Sequence, residues 1–394
     1  MASAHSHSKS TEHPRARRSG GKVLPLAAAS LAVILVGVAV AAYALHGPSE
    51  RAAASPTSTV VHGVEASVHE GPFTVAAVTP TSGTTDVPSD ATLSVQFSSP
   101  LSPTSPTPAL TPAVAGVWRE VTPDTFAFVA SAPFVPLTTE TITVPGGTGG
   151  VTSTGGKTLA QSVTSTFNVA SGSTLRLQQL LAQLGYLPVS FNPARPLSAP
   201  QEAAQAQEGT FGWRWTEPAS LVSLWTVGTP NEITTGAVMQ FESVHNMKTD
   251  GVAGPAVWEQ LMSDASGGTL DAAPYDYVFV SKSLPETTTV YSNGAAVYST
   301  RANTGVPGAP TASGTFPVYL RYKVTTMSGT NPDGSKYVDP GIPWVSYFNG
   351  GDALHGFVRG SYGYPQSDGC VEMPPANAAV VYPLTPIGTL VTVS

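Results

Sequence analysis

The sequence predicts a multidomain, mainly β protein: an N-terminal transmembrane helix, an antiparallel β-sandwich, a small helical domain, and a C-terminal, mostly β domain. Three observations predict it. An uncharged run of 23 residues near the N-terminus is long enough to cross a hydrocarbon core. Short alternating apolar runs occupy residues 73–170 and return from 276 to 394, with a stretch of helical periodicity between them. Composition agrees, since charged residues are only 11% while Gly and Pro number 38 and 36, the profile of a turn-rich β protein.

Residues 1–22 form a basic tail with five Lys/Arg and one Glu, a local +4 within an overall −7. The acidic remainder offers no footprint for nucleic acid. Residues 23–45, VLPLAAASLAVILVGVAVAAYAL, follow Arg15, Arg17, Arg18 and Lys22. The positive-inside bias keeps that tail cytoplasmic and places everything after residue 46 outside, in a single-pass cell-membrane protein. A cleaved signal peptide ending near Ala42-Tyr43-Ala44 is the competing reading, but the run exceeds the usual apolar core of about 7–15 residues. Residues 46–72 read as a linker, small and polar without periodicity. The histidines of the tail, His5, His7 and His13, read as solvated residues. His62, His69 and His245 lack paired ligand spacing, so neither metal nor cofactor is expected.

Between 73 and 170, the runs FTVAAVT, ATLSVQF, GVWRE, TFAFVA, TITVP and SVTSTFNV are separated by turn clusters such as PTSGTTDVPSD and PGGTGG. Six or seven short strands at this spacing predict a sandwich of bacterial Ig-like type without a disulfide, acting as a spacer. Trp118 and Phe126 fall at alternating positions and are expected in its core.

Residues 171–265 turn helical. Ser173 can cap a helix whose Leu177, Leu180, Leu181 and Leu184 share one face, and Gly185 ends it. Val238 and Phe241 mark a second helix; Pro255, Val257, Trp258 and Leu261 mark a third. The segments LQQLLAQLGYL, AVMQFE and DGVAGPAVW resemble the peptidoglycan-binding domain found beside many cell-wall enzymes. An insertion at 192–234 departs from that pattern, and its Trp213, Trp215 and Trp225 could stack on sugar rings or form its core.

From 276 to 394 strands return: YDYVFVS, TTVYSNG, AVYST, FPVYLRYKVTT, WVSYF and TLVTVS, with Ser292-Asn293-Gly294 as a hairpin turn. Here lies the only cysteine, Cys370, fifteen residues after His355. A lone cysteine is most often a small buried hydrophobe. Three features argue otherwise: turn formers Ser367, Asp368 and Gly369 precede it, the segment is crowded with Gly, Tyr and Pro, and a histidine lies within one loop's reach. A thiol attacks as the thiolate, so it needs a neighbouring imidazole and donors for the oxyanion it creates. His355 supplies the first, and backbone N–H groups at Gly369 and Cys370 the second.

His355-Gly356, a loop, then Ser367-Asp368-Gly369-Cys370-Val371-Glu372-Met373 resembles the HG…SHGC signature of L,D-transpeptidase catalytic domains of the YkuD type. The resemblance runs from about Tyr277 to the C-terminus, through Asn303-Thr304-Gly305, the segment Pro310 to Phe316, and Pro343-Trp344-Val345-Ser346-Tyr347-Phe348. Two positions depart from it. Asp368 stands where a histidine is common, and Glu372 where Arg or Asn often follows; a carboxylate beside a thiol raises its pKa.

The resemblance implies a cysteine acyltransferase of peptidoglycan. His355, oriented by the carbonyl of Gly356, takes the proton of Cys370; the thiolate attacks the L,D bond of a tetrapeptide stem; a second stem's amine resolves the thioester into a 3→3 cross-link. Ser367 fixes the turn, Arg359 and Tyr362 could meet stem carboxylates, and carbapenems are the expected inhibitors. An L,D-carboxypeptidase of the same fold would differ only in using water, and a non-enzymatic wall-binding protein would need only the β and helical modules. A sortase would need a later arginine, and none follows Cys370.

Overall fold

The computed structural model describes residues 71–394, which lie in one compact unit spanning 69–394. The expected tail, membrane helix and nearly all of the linker lie outside the described residues. Among the described residues no helix is long and apolar enough to cross a membrane. The hydrophobic clusters found among the described residues all lie in this unit, so it carries its own cores.

The first seven strands are β1 (Val75–Thr79), β2 (Leu93–Phe97), β3 (Ala109–Thr111), β4 (Gly116–Thr122), β5 (Thr125–Ala130), β6 (Thr139–Val144) and β7 (Val163–Asn168). They form two antiparallel sheets, β1-β2-β5-β4 and β3-β6-β7. Alternation sets the inner face: Leu93, Val95 and Phe97 of β2 meet Phe126 and Phe128 of β5, Ile142 of β6 and Phe167 of β7 in one core. Trp118 packs on that core, 5.4 Å from the Phe128 ring. Strand β3 lies in a proline-rich stretch that reads as turn; three residues suffice for it to pair with β6 at the sheet edge.

Helix α1 (Thr174–Gln183) begins where Ser173 Oγ accepts the Arg176 N–H at 3.1 Å. It ends at Gly185, φ +93°, with the Gly185 N–H on Ala182 O and the Tyr186 N–H on Leu181 O, the paired bonds of a Schellman stop. Strands β8 (Val189–Pro193) and β9 (Gly209–Trp213) pair antiparallel. The short α2 (Ala219–Val222) leads to α3 (Glu232–Val244) and α4 (Pro255–Gly267). The insertion is therefore no appendage: β9 pairs with a strand that begins before residue 192, and Leu221 is fully buried with the three main helices. Trp213, Trp215 and Trp225 pack against that core, Trp225 edge-on to Phe211 at 5.4 Å.

The remaining strands are β10 (Asp276–Ser281), β11 (Thr287–Ser292), β12 (Ala295–Arg301), β13 (Gly314–Pro317), β14 (Leu320–Thr330), β15 (Lys336–Asn349), β16 (Asp352–Gly356), β17 (Val371–Met373) and β18 (Leu390–Val393), with helix α5 (Pro375–Val381) between the last two. One sheet runs β12-β11-β10-β18-β13 and the other β14-β15-β16-β17. The run expected as a single strand, FPVYLRYKVTT, is split: β13 joins the first sheet and β14 the second. Val278, Val280, Phe348, Leu354, Val371 and Val391 fill the core of this domain.

The helical stretch and this domain share a core. Tyr275, Tyr277 and Leu390 belong to the cluster of Leu180, Phe241 and Trp258. Close approach requires glycine on both sides, since a Cβ on Gly236 of α3 would lie 2.5 Å from Gly388 O, and one on Gly388 would lie 2.2 Å from Gly236 O. Tyr277 Oη donates to Ser220 Oγ at 2.9 Å across the same contact.

Candidate active site

The site is built on a parallel pair. Leu354 pairs with Val371, His355 with Glu372 and Gly356 with Met373. Leu354 and Val371 face the core. Side chains alternate along strands, so His355 and Glu372 project from the opposite face, and Cys370, two residues before Glu372, lies on that face too. Thus β16 supplies the imidazole and the turn entering β17 supplies the thiol.

That turn is held tightly. Ser367 is buried, its Oγ donating to Cys370 O at 2.5 Å and accepting the Gly369 N–H at 3.3 Å. Its backbone bonds Thr304 O and the Val306 N–H. Gly369 sits at φ +114°, and a Cβ there would lie 2.6 Å from Asp352 Oδ1. Glycine is required on both counts.

His355 is buried, and its Nδ1 lies 3.1 Å from Gly356 O. A carbonyl can only accept, so Nδ1 carries the proton and Nε2 keeps the lone pair, as a base needs. Burial pushes the imidazole below its ordinary value, against smaller upward pulls from the Gly356 carbonyl and Glu372. The Cys370 thiol is partly accessible to solvent yet densely surrounded, and it donates to Gly351 O at 3.6 Å. Burial pushes it up to about 12; the Ala353 amide offsets this in part, and Asp352, Glu372 and Asp368 add to it. Both groups are therefore neutral at rest, a thiol and an imidazole on the same face of the β16–β17 pair.

Asp352 was invisible to sequence reasoning, although it exerts the largest carboxylate effect on the thiol. Its Oδ2 accepts the Ala312 N–H at 3.1 Å, and burial raises its pKa. The Gly350-Gly351 turn marks only the reversal of the chain between β15 and β16; that it sets Asp352 beside the cysteine appears only in the fold. Asp368 is exposed and acts more weakly. Glu372 is buried and clamped by Arg359, whose Nε and Nη2 each donate to its carboxylate at 2.8 Å. The guanidinium also lies 4.6 Å from the Phe357 ring centre, and Nη2 donates to Gln366 O at 3.3 Å. Tyr362 Oη donates to Phe357 O at 2.6 Å and accepts the Arg359 N–H at 3.0 Å. Arg359 and Tyr362, expected to meet stem carboxylates, thus brace their own loop. Tyr347 and Tyr337 of β15 face the thiol closely enough for its charge to raise their pKa values, after burial.

A family model described as the L,D-transpeptidase catalytic domain, YkuD, matches residues 275–393, and one for a bacterial Ig-like domain matches 69–169. Among solved structures, an L,D-transpeptidase from Mycobacterium smegmatis is 15% identical, with 82% of this chain and 100% of that one covered and a TM-score of 0.28. L,D-transpeptidase 3 from Mycobacterium tuberculosis is likewise 15% identical, covering 82% and 98%, with a TM-score of 0.28. The catalytic domain of the Enterococcus faecium L,D-transpeptidase, acylated by ertapenem, is 25% identical over 32% of this chain and 100% of that one, with a TM-score of 0.28. No curated protein matches the chain.

Proposed function

We propose, from the premise that residues 275–393 are a YkuD-type L,D-transpeptidase catalytic domain and 69–169 a bacterial Ig-like domain, that the chain is a cysteine-dependent L,D-transpeptidase forming 3→3 cross-links in peptidoglycan. The observation carrying this reading is the parallel register that sets Cys370 on the His355 face, with the Nδ1 proton held by Gly356 O. His355 Nε2 takes the Sγ proton while the sulfur attacks the carbonyl of the stem's L,D bond. The backbone N–H of Cys370 holds the oxyanion, joined by that of Gly369 once it leaves its long bond of 3.3 Å to Ser367 Oγ. The terminal D-Ala leaves with the proton from His355, and the thioester remains on Cys370. The amine of a second stem then attacks, His355 taking its proton, and the thiol is regenerated. Carboxyl groups at Asp352 and Asp368 make the surroundings of the sulfur suit a cationic amine, Glu372 being already paired with Arg359.

The helical stretch at 171–265 holds the chain to peptidoglycan strands, a role supported by the resemblance of its three segments. Residues 23–45 anchor the chain in the membrane, and 46–72 set the folded part away from it. Intact-mass spectrometry of the 69–394 unit incubated with ertapenem tests the nucleophile. One adduct is expected on wild type and none on Cys370→Ala; no adduct on folded wild type removes the enzyme reading and leaves wall binding. Product analysis with and without an amine acceptor separates transpeptidation from carboxypeptidase action.

A further inference from the structure

A cavity of about 1020 Å³ opens between the Ig-like domain and the helical stretch and shares no lining residue with the Cys370 site. Its walls are the sandwich around Val135 and Glu140, the helices α1 and α4, and the segment 193–207. The volume matches the upper end of small-molecule sites, roughly 300–1000 Å³.

A buried guanidinium and a buried carboxyl group line it, and neither forms an ion pair among the described residues. Arg176 is 2% exposed; its Nε donates to Ala203 O at 2.9 Å and its Nη1 to Gln179 Oε1 at 3.4 Å. Among the described residues no carboxylate forms an ion pair with it. Burial lowers its pKa only to about 10, so it is a cation at neutral pH. Glu140 is also 2% exposed; its Oε1 accepts the Thr138 hydroxyl at 2.9 Å, while Oε2 is buried with no partner. A buried guanidinium and a buried carboxyl oxygen left unpaired are both costly, and the cost falls away when a ligand supplies the missing partners.

We propose that this cavity binds the carboxyl end of a short peptide, its terminal carboxylate at the Arg176 guanidinium and an amide or ammonium N–H at Glu140 Oε2. The peptide side chains lie against Val135, Leu197 and Met262, which line the cavity and keep accessible surface. Arg176 keeps unused donors in the planar fork that suits a carboxylate. A fatty acid would satisfy Arg176 alone and a neutral sugar would leave the cation unmatched, so the two poles together select a peptide. The proposal does not depend on the transpeptidase reading. A wall stem and a protein tail share this chemistry, and the configuration of the probe tells them apart.

The test is calorimetric titration of the 69–394 unit with trialanine of L configuration and with D-alanyl-D-alanine, each with and without a C-terminal amide. Saturable binding of one probe is expected, weakened about tenfold or more by amidation and by Arg176→Gln, as loss of a charge-assisted bond implies. Glu140→Gln should weaken the peptide while leaving decanoate unaffected. Ser266→Trp, on the exposed rim contributed by α4, should abolish binding without touching the core. Should Arg176→Gln fail to fold, the other two variants decide. Binding of decanoate but of neither peptide, or peptide binding unchanged in both Glu140→Gln and Ser266→Trp, would overturn the proposal.

Discussion

A thiol pushed up to about 12 and an imidazole pushed below its ordinary value cannot form a stable thiolate–imidazolium pair at neutral pH. Under the proposed transpeptidase reading, proton transfer from Cys370 to His355 then accompanies attack on the carbonyl. The base has to be neutral, so acylation should fall on the acid side only below about 6.5, the ordinary histidine value. It should stay flat to about pH 9, because the thiol remains protonated throughout. Stopped-flow acylation by a carbapenem across pH 5–10 measures this; a rate still climbing between pH 8 and 10 would mean that the thiolate forms first. Glu372 is tolerable beside this sulfur because Arg359 neutralises it through two bonds of 2.8 Å. Arg359→Ala leaves that carboxylate buried and alone. The expected loss is about 2 kcal/mol by urea unfolding, less than for a fully buried pair because Arg359 is partly exposed, together with roughly tenfold slower acylation. Adding Glu372→Gln should restore much of both, and a double variant no better than Arg359→Ala would refute the neutralising role.

Helix α3 carries a pH dependence of its own. Glu242 is buried on it, with Oε2 accepting the Gly251 N–H at 2.8 Å, and burial pushes its pKa up to about 7 from 4.5. A folded pKa above the unfolded one stabilises the fold fully below about 4.5 and loses that contribution as pH rises through about 7. The loss amounts to up to about 3 kcal/mol. Thermal melts of wild type and Glu242→Gln at pH 5 and 8 should show the variant gaining at pH 8 alone; equal gains at both would refute the linkage. Elements of this kind were legible where the signal is local. The Ser173 cap, the leucines of α1, Gly185, Pro255 and the Asn293-Gly294 turn each act within a few residues and appear where their spacing puts them. The hairpin of β14 and β15 was legible only in part: FPVYLRYKVTT and WVSYF mark much of β14 and the inner half of β15, whereas the start of β15, Lys336–Gly341, holds all of that strand's exposed residues and carries Pro340, so no apolar run marks it. In the site, Cys370 and His355 stood out by residue type and spacing. Asp352 beside the sulfur and the clamp of Arg359 on Glu372 arise only when the β15–β16 turn and the β16–β17 pairing fold the chain back, and no local pattern encodes those contacts.

At the scale of the whole unit, the continuity of the core decides what can be separated. Tyr277 and Leu390 are buried to 0% and 1% exposure against helices that a catalytic domain cut at residue 276 would lack. Removing the helical stretch would bare both side chains, strip Ser220 from the Tyr277 hydroxyl, and expose the glycine contact between α3 and the turn before β18. Re-exposing two large apolar side chains costs about 3–6 kcal/mol by area, a large fraction of the stability of a domain this size. A fragment 276–394 should therefore melt well below fragment 171–394 and run partly aggregated on size exclusion, although it contains Cys370, His355 and every contact described around them. The helical stretch then acts in the chemistry indirectly: β18 lies between β10 and β13 in the sheet behind the site, and its outer face is completed by α3. If 276–394 instead melts with 171–394 and takes up a carbapenem at the same rate, the shared core contributes nothing to the site and the helical stretch is a separable attachment.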